Sequence, residues 1–154
     1  DPAARLAQAA GLLANAGLAV DTNEDDDAVW AAQRVGQRSQ GGDAVVKVSA
    51  LPSALPQVLS AARTLDGSVV GRAGLGLSWI GLPTDDHGEV VAAVEDLRRR
   101  LAPAPVVVTD APAEVRGKLD PWGGETGPVA LMRRVKERFD PAGVCAPGLF
   151  VGGI

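Results

Sequence analysis

Tyrosine is absent from these 154 residues, and the aromatic side chains amount to two phenylalanines and three tryptophans. Surfaces that stack nucleobases need several rings, so the composition speaks against a nucleic-acid partner. A formal net charge of -4 points the same way, because such binding rests on basic groups set against phosphates. The single cysteine, Cys145, cannot close an internal disulfide. The fold therefore does not depend on oxidation, which is compatible with the cytoplasm. No apolar run approaches the roughly 18 residues that span a bilayer, and the first residues lack the charged-then-apolar pattern of an export signal.

What is plentiful is small and aliphatic. Hydrophobic residues make up 46% of the chain, mostly Ala, Val and Leu. A chain of this length is expected to form a single domain over 1–154, burying about 70% of its unfolded surface. Asp1-Pro2 followed by Leu6, Ala9, Ala10, Leu13 and Ala14 predicts a helix ending near Gly17, and Leu18-Ala19-Val20 a short strand. A second helix carries Val29, Trp30, Gln33 and Arg34. From residue 43 the alternation is orderly: a strand at 44–49, a helix at 52–64, strands at 68–72 and 75–80 joined at Ala73-Gly74, a helix at 88–101 and a strand at 104–109. Strand, helix, strand, strand, helix, strand is the split βαβ order of ferredoxin-like folds. The expected fold class is therefore α+β: an antiparallel sheet over 43–110 with both helices on one face, plus additional N- and C-terminal helices. A short turn at 111–116, a corner at Asp120-Pro121-Trp122-Gly123 and a helix from about 127 to Phe139 complete the chain.

Several clusters invite chemistry and have plainer explanations. Asp21, Asn23 and Asp25 alternate like the start of an EF-hand, but the sixth position is Asp26 rather than Gly and the twelfth is Ala32 rather than Glu. An acidic helix start explains them as well. Gly71-Arg72-Ala73-Gly74-Leu75-Gly76 matches neither nucleotide fingerprint and fits a hairpin turn. His87, among Asp85, Asp86 and Glu89, reads as part of a helix start spanning 84–89. No metal site is expected. Arg98-Arg99-Arg100 closes a helix, where cations complement the dipole. Cys145 has no evident basic partner in sequence and reads as an incidental thiol. Four residues remain as substrate-pocket candidates. Lys47 and Ser49 share one face of the first strand, and a cation inside an apolar strand could meet a carboxylate; Arg72 and Trp79 could add a second cation and an apolar wall. The plainer reading is that Lys47 solvates a half-exposed strand.

The last seventeen residues are the most specific stretch. Arg133, Arg134, Lys136 and Arg138 crowd the end of the final helix, Asp140-Pro141 stops it, and Gly143, Pro147, Gly148, Gly152 and Gly153 set bends. Lys136-Glu137-Arg138-Phe139-Asp140-Pro141 followed by Pro147-Gly148-Leu149-Phe150 resembles the C-terminal end of FAD-linked oxidases of the vanillyl-alcohol oxidase type. Gly152-Gly153-Ile154 and the Asp-x-Trp-Gly at 120–123 are closest to the glycolate oxidase E-subunit branch. Ala146 stands where Asn is usual and Leu149 where Arg is usual.

The resemblance implies a cap domain, the C-terminal half of an FAD-dependent 2-hydroxyacid oxidoreductase and inactive alone. It implies that the terminal segment 126–154 runs beside the flavin, with Pro147, Gly148 and Phe150 as cofactor-side residues. The FAD would be bound mainly by an N-terminal domain outside these residues. The implied partners are that FAD-binding domain, a homologous flavoprotein and an iron-sulfur subunit, through which the protein could associate with a membrane while itself cytoplasmic. A small-molecule-binding regulatory module and a purely subunit-interaction domain remain alternatives, since ferredoxin-like sheets serve many ends.

Overall fold

Val45, Val46 and Val48 in succession, with Thr and Val on the neighbouring strand, favour extended backbone, and the sheet forms around them. The computed structural model describes residues 1–23, 25–40, 43–83, 86–124 and 127–154. These fall into two units, 1–32 and 33–154.

The first unit is helical. α1 (Pro2–Asn15) starts where the Asp1 carboxylate accepts from Ala3 N at 2.9 Å, and stops at Gly17, whose φ of 80° suits glycine. No α1 side chain is buried. Leu18–Val20 was expected as a strand but joins no sheet. A strand needs a partner for its amides, and among the described residues this unit offers none. α2 (Asp27–Val35) begins in this unit and ends in the next.

The second unit holds the α+β core. Its strands are β1 (Ala44–Ser49), β2 (Ser68–Arg72), β3 (Leu77–Leu82) and β4 (Val106–Asp110). All pairings are antiparallel, in the order β2-β3-β1-β4, the order of the expected ferredoxin-like arrangement. α3 (Leu55–Arg63), entered through a 3₁₀ turn at Pro52–Ala54, and α4 (His87–Leu101) connect them. Val58, Ala61 and Ala62 of α3 and Val90, Val94, Leu97 and Leu101 of α4 share one core cluster with Ala44, Val46, Val48, Ile80, Leu82, Val106 and Val108. Both helices therefore cover the same sheet face. The predicted turn at Ala73-Gly74 is a 3₁₀ turn, Ala73–Leu75, ending at Gly76 with φ 65°. A Cβ at Gly76 would lie 1.8 Å from the Ala50 carbonyl oxygen, so the close approach admits only glycine.

A short α5 (Ala113–Arg116) and α6 (Val129–Phe139) follow. Between them the corner at 120–123 is tied down by its own carboxylate: Asp120 accepts from Trp122 N at 2.9 Å and Gly124 N at 3.0 Å. Val108 N donates to Pro121 O at 2.8 Å, which occupies part of the β4 edge. Arg98, read in sequence as a dipole complement, holds this corner as well, donating to Asp120 O at 2.6 Å from a side chain only 14% exposed. Arg99 and Arg100 instead share the Asp96 carboxylate on their own helix. Among the described residues no helix is long and apolar enough to cross a membrane.

Candidate functional site

α6 is amphipathic, and its last turn and the terminal loop are built as one piece. Lys136 and Asp140 are four apart and face each other across one helical turn, with Nζ 2.6 Å from Oδ2. The same carboxylate accepts from Val144 N and Cys145 N, both at 2.9 Å, while Lys136 Nζ donates to Cys145 O. Asp140 is therefore more than a helix stop. Its carboxyl is held down to about 2, by the Lys136 hydrogen bond first and by the Cys145 and Val144 amides next. Ala146, immediately after this clamp, sits at φ 46°, a left-handed conformation disfavoured for alanine.

The loop then returns to the corner at residues 120–123. Trp122 Nε1 donates to Leu149 O at 3.1 Å, and the Trp122 and Phe150 rings meet edge to face, centroids 4.8 Å apart. Arg133 donates to Gly152 O at 2.8 Å, and Val151 is buried. Two stretches that look unrelated in sequence, Asp-x-Trp-Gly and Pro-Gly-x-Phe, thus form a single contact. Pro147, Gly148 and Phe150 are all exposed. Beneath the loop runs an apolar groove of about 660 Å³ between it and α6, lined by Leu131, Met132, Val135, Ala146, Leu149 and Phe150.

The sheet face away from α3 and α4 carries the other candidates. Cross-strand register puts Val70, Trp79, Lys47 and Val107 in one row, and Arg72, Leu77 and Ser49 in the next. Lys47 and Ser49 share one face, as their spacing predicts, and the cross-strand pairing puts Arg72 and Trp79 on the same face. Lys47 Nζ lies 5.9 Å from the Trp79 ring centroid. Ser49 also lines a hollow of about 600 Å³ at the end of the sheet, with Leu51, Gln57, Leu75 and Pro103.

This face is less open than the sequence suggests. Gly36, just past α2, approaches so closely that a Cβ on it would be 2.6 Å from Val70 Cγ1. Ser39 N donates to Asp110 Oδ2 at 3.0 Å. The chain between them passes from one edge strand toward the other, and Val45, on this face, is only 1% exposed. Sequence reasoning missed this cover because Gln33 to Gln40 has no apolar periodicity of its own; Gly36 was the available signal.

The remaining clusters are accounted for locally. Asn23 Oδ1 accepts from Asp25 N, Asp25 Oδ1 from Asp27 N, and Asp26 Oδ2 from Trp30 Nε1. Asp86 caps α4 by accepting from Gly88 N at 2.6 Å, next to His87, whereas Thr84 and Asp85 lie outside the described residues. Cys145 is exposed and touches Lys136 through its carbonyl. Among the described residues no three His, Cys, Asp or Glu side chains are grouped as a metal site. No family model, no curated protein and no solved structure matches the chain.

Proposed function

We propose that this chain is the cap half of an FAD-linked oxidase of the vanillyl-alcohol oxidase type, akin to a glycolate oxidase E subunit and acting on a small 2-hydroxy acid. The observation that supports the reading is the meeting of Trp122 with Leu149 and Phe150, which joins the two motifs behind the resemblance into one exposed feature. A loop that served only to finish the fold would bury its apolar side chains. Here Leu149 is 73% and Phe150 44% exposed at the edge of an apolar groove, a surface suited to a neighbouring domain.

The residues at this edge fit a flavin's apolar rim rather than its polar one, since Ala146 and Leu149 offer no polar side-chain atoms. Bound FAD would accept the hydride equivalent from the substrate's α-carbon. Within this chain, Lys47 would pair with the substrate carboxylate, Trp79 would wall the carbon skeleton, and Pro147 to Phe150 would exclude water where the loop meets the flavin domain. Electrons would leave through partner subunits, a homologous flavoprotein and an iron-sulfur protein, in the cytoplasm or at a membrane those subunits reach.

The test is the visible spectrum of the protein produced with the coding sequence upstream of Asp1. Flavin absorption that residues 1–154 alone lack, bleached by a 2-hydroxy acid, is the expected result. A colourless extended protein overturns the catalytic reading and leaves a subunit-interaction role, which the exposed groove equally suits.

A further inference from the structure

The two edges of the sheet are not alike. At β4, Pro121 takes up part of the edge by accepting from Val108 N. β2 pairs only with β3, and among the described residues no other segment hydrogen-bonds to its outer side. Sheets protect such an edge with proline, lysine or a bulge. Ser68-Val69-Val70-Gly71-Arg72 has no Pro or Lys, and its register with β3 is unbroken. The helix above adds an apolar group. α3 packs on β2 and α4 on β4, at opposite ends of the sheet. Gln57 and Ala61 of α3 lie toward Arg100 of α4, and Val58 and Ala62 enter the core. With 3.6 residues to the turn, Leu59 is left on the flank away from α4, on the β2-edge side, where it is 47% exposed.

Charge selects the occupant. Asp66, just before β2, and Arg72, its last residue, are exposed, and among the described residues neither side chain has a hydrogen-bond or ion-pair partner. We propose that β2 pairs antiparallel with β2 of a second copy of this chain, about a two-fold axis at Val69, joining the two sheets into one. Each Val69 then faces the other, and Arg72 faces the second copy's Asp66, so opposite charges meet twice across the axis. Centring the pair on Val70 would set Arg72 against Ser68 and leave Asp66 alone. Paired strands lie about 4.8 Å apart, so the two α3 helices, each over its own β2, pack flank to flank with Leu59 between them.

Sedimentation equilibrium of the chain over a range of concentrations tests this. Twice the mass of one chain is expected at the highest, with a micromolar dissociation constant that suits a small interface. Arg72→Glu sets like charges face to face and should weaken the dimer about tenfold. Leu59→Lys should weaken it as well. Both side chains are exposed, so neither change enters the core. Asp66→Asn keeps a residue type that tolerates the φ of 50° found there. It should weaken the parent dimer yet strengthen that of Arg72→Glu, a reversal of sign that follows from this register. The mass of one chain at every concentration overturns the proposal. So does a dimer that Arg72→Glu and Leu59→Lys leave intact, which would place the contact elsewhere, such as the groove along α6. Weakening by Asp66→Asn in both backgrounds overturns it too, because Asp66 and Arg72 would then not meet.

Discussion

Lys136 and Asp140 grip the terminal loop from both sides of one residue: Asp140 takes the Cys145 N–H and Lys136 the Cys145 carbonyl. The ion pair between them ties the two grips together. The Lys-x-x-Phe-Asp-Pro run therefore fixes where the loop begins, and the Trp122 contact fixes where it ends.

Asp140→Asn should loosen the loop at its start without disturbing the sheet. The variant keeps one acceptor oxygen but loses the ion pair and one of the two amide bonds. A red shift and broadening of Trp122 emission in a Trp30→Phe, Trp79→Phe background is the expected readout, with far-ultraviolet circular dichroism unchanged.

Acid should produce the same release in the parent chain. The Asp140 carboxyl sits at about 2 in the fold against an ordinary 3.8. A depressed value stabilises the folded loop fully above the unfolded value, and that contribution is lost as pH falls through the folded one. The Trp122 signal should therefore change between about pH 4 and 2, with a limb that Asp140→Asn abolishes.

Ala146→Gly removes the strain of a left-handed alanine and should raise stability by up to about 1 kcal/mol, offset in part by the greater freedom of glycine when unfolded. Ala146→Asn tolerates the same backbone with less unfolded-state cost. Thermal melting of the two variants should rank Asn above Gly and both above the parent.

Gly76→Ala should be the most damaging alanine in the hairpin. Its Cβ would collide with the Ala50 carbonyl at 1.8 Å in a backbone with φ 65°. A loss of about 2–4 kcal/mol is expected in urea denaturation. Gly74→Ala, with nothing within 4 Å of its Cβ, should be near neutral.

How legible this was in sequence depends on the reach of the interaction concerned. β1 reads correctly from Ala44 to Ser49 because a strand between two neighbours buries almost every side chain, and the strand order follows from two crossovers. β3 lies two residues later than its apolar run suggests, at Leu77–Leu82, since Gly76 must first clear Ala50. Period two put Lys47 and Ser49 on one face, and the register between strands, which the sequence does not give, adds Arg72 and Trp79 to it. The cover from Gly36 to Ser39 was invisible, because its contacts to Val70 and Asp110 are set by tertiary packing. The Lys136–Asp140 clamp lay within a motif that sequence reads only as a helix end.

α1 has its start cap and its glycine stop, yet none of its side chains is buried. Fourteen residues with local hydrogen bonds alone sit near the helix–coil midpoint in water. In deuterium oxide its amides should exchange orders of magnitude faster than those of β1, whose central position in the sheet lets them open only with the whole fold. The chain would thus show two separate clocks, and any partner that slowed the faster one would have declared its docking place on the first fifteen residues.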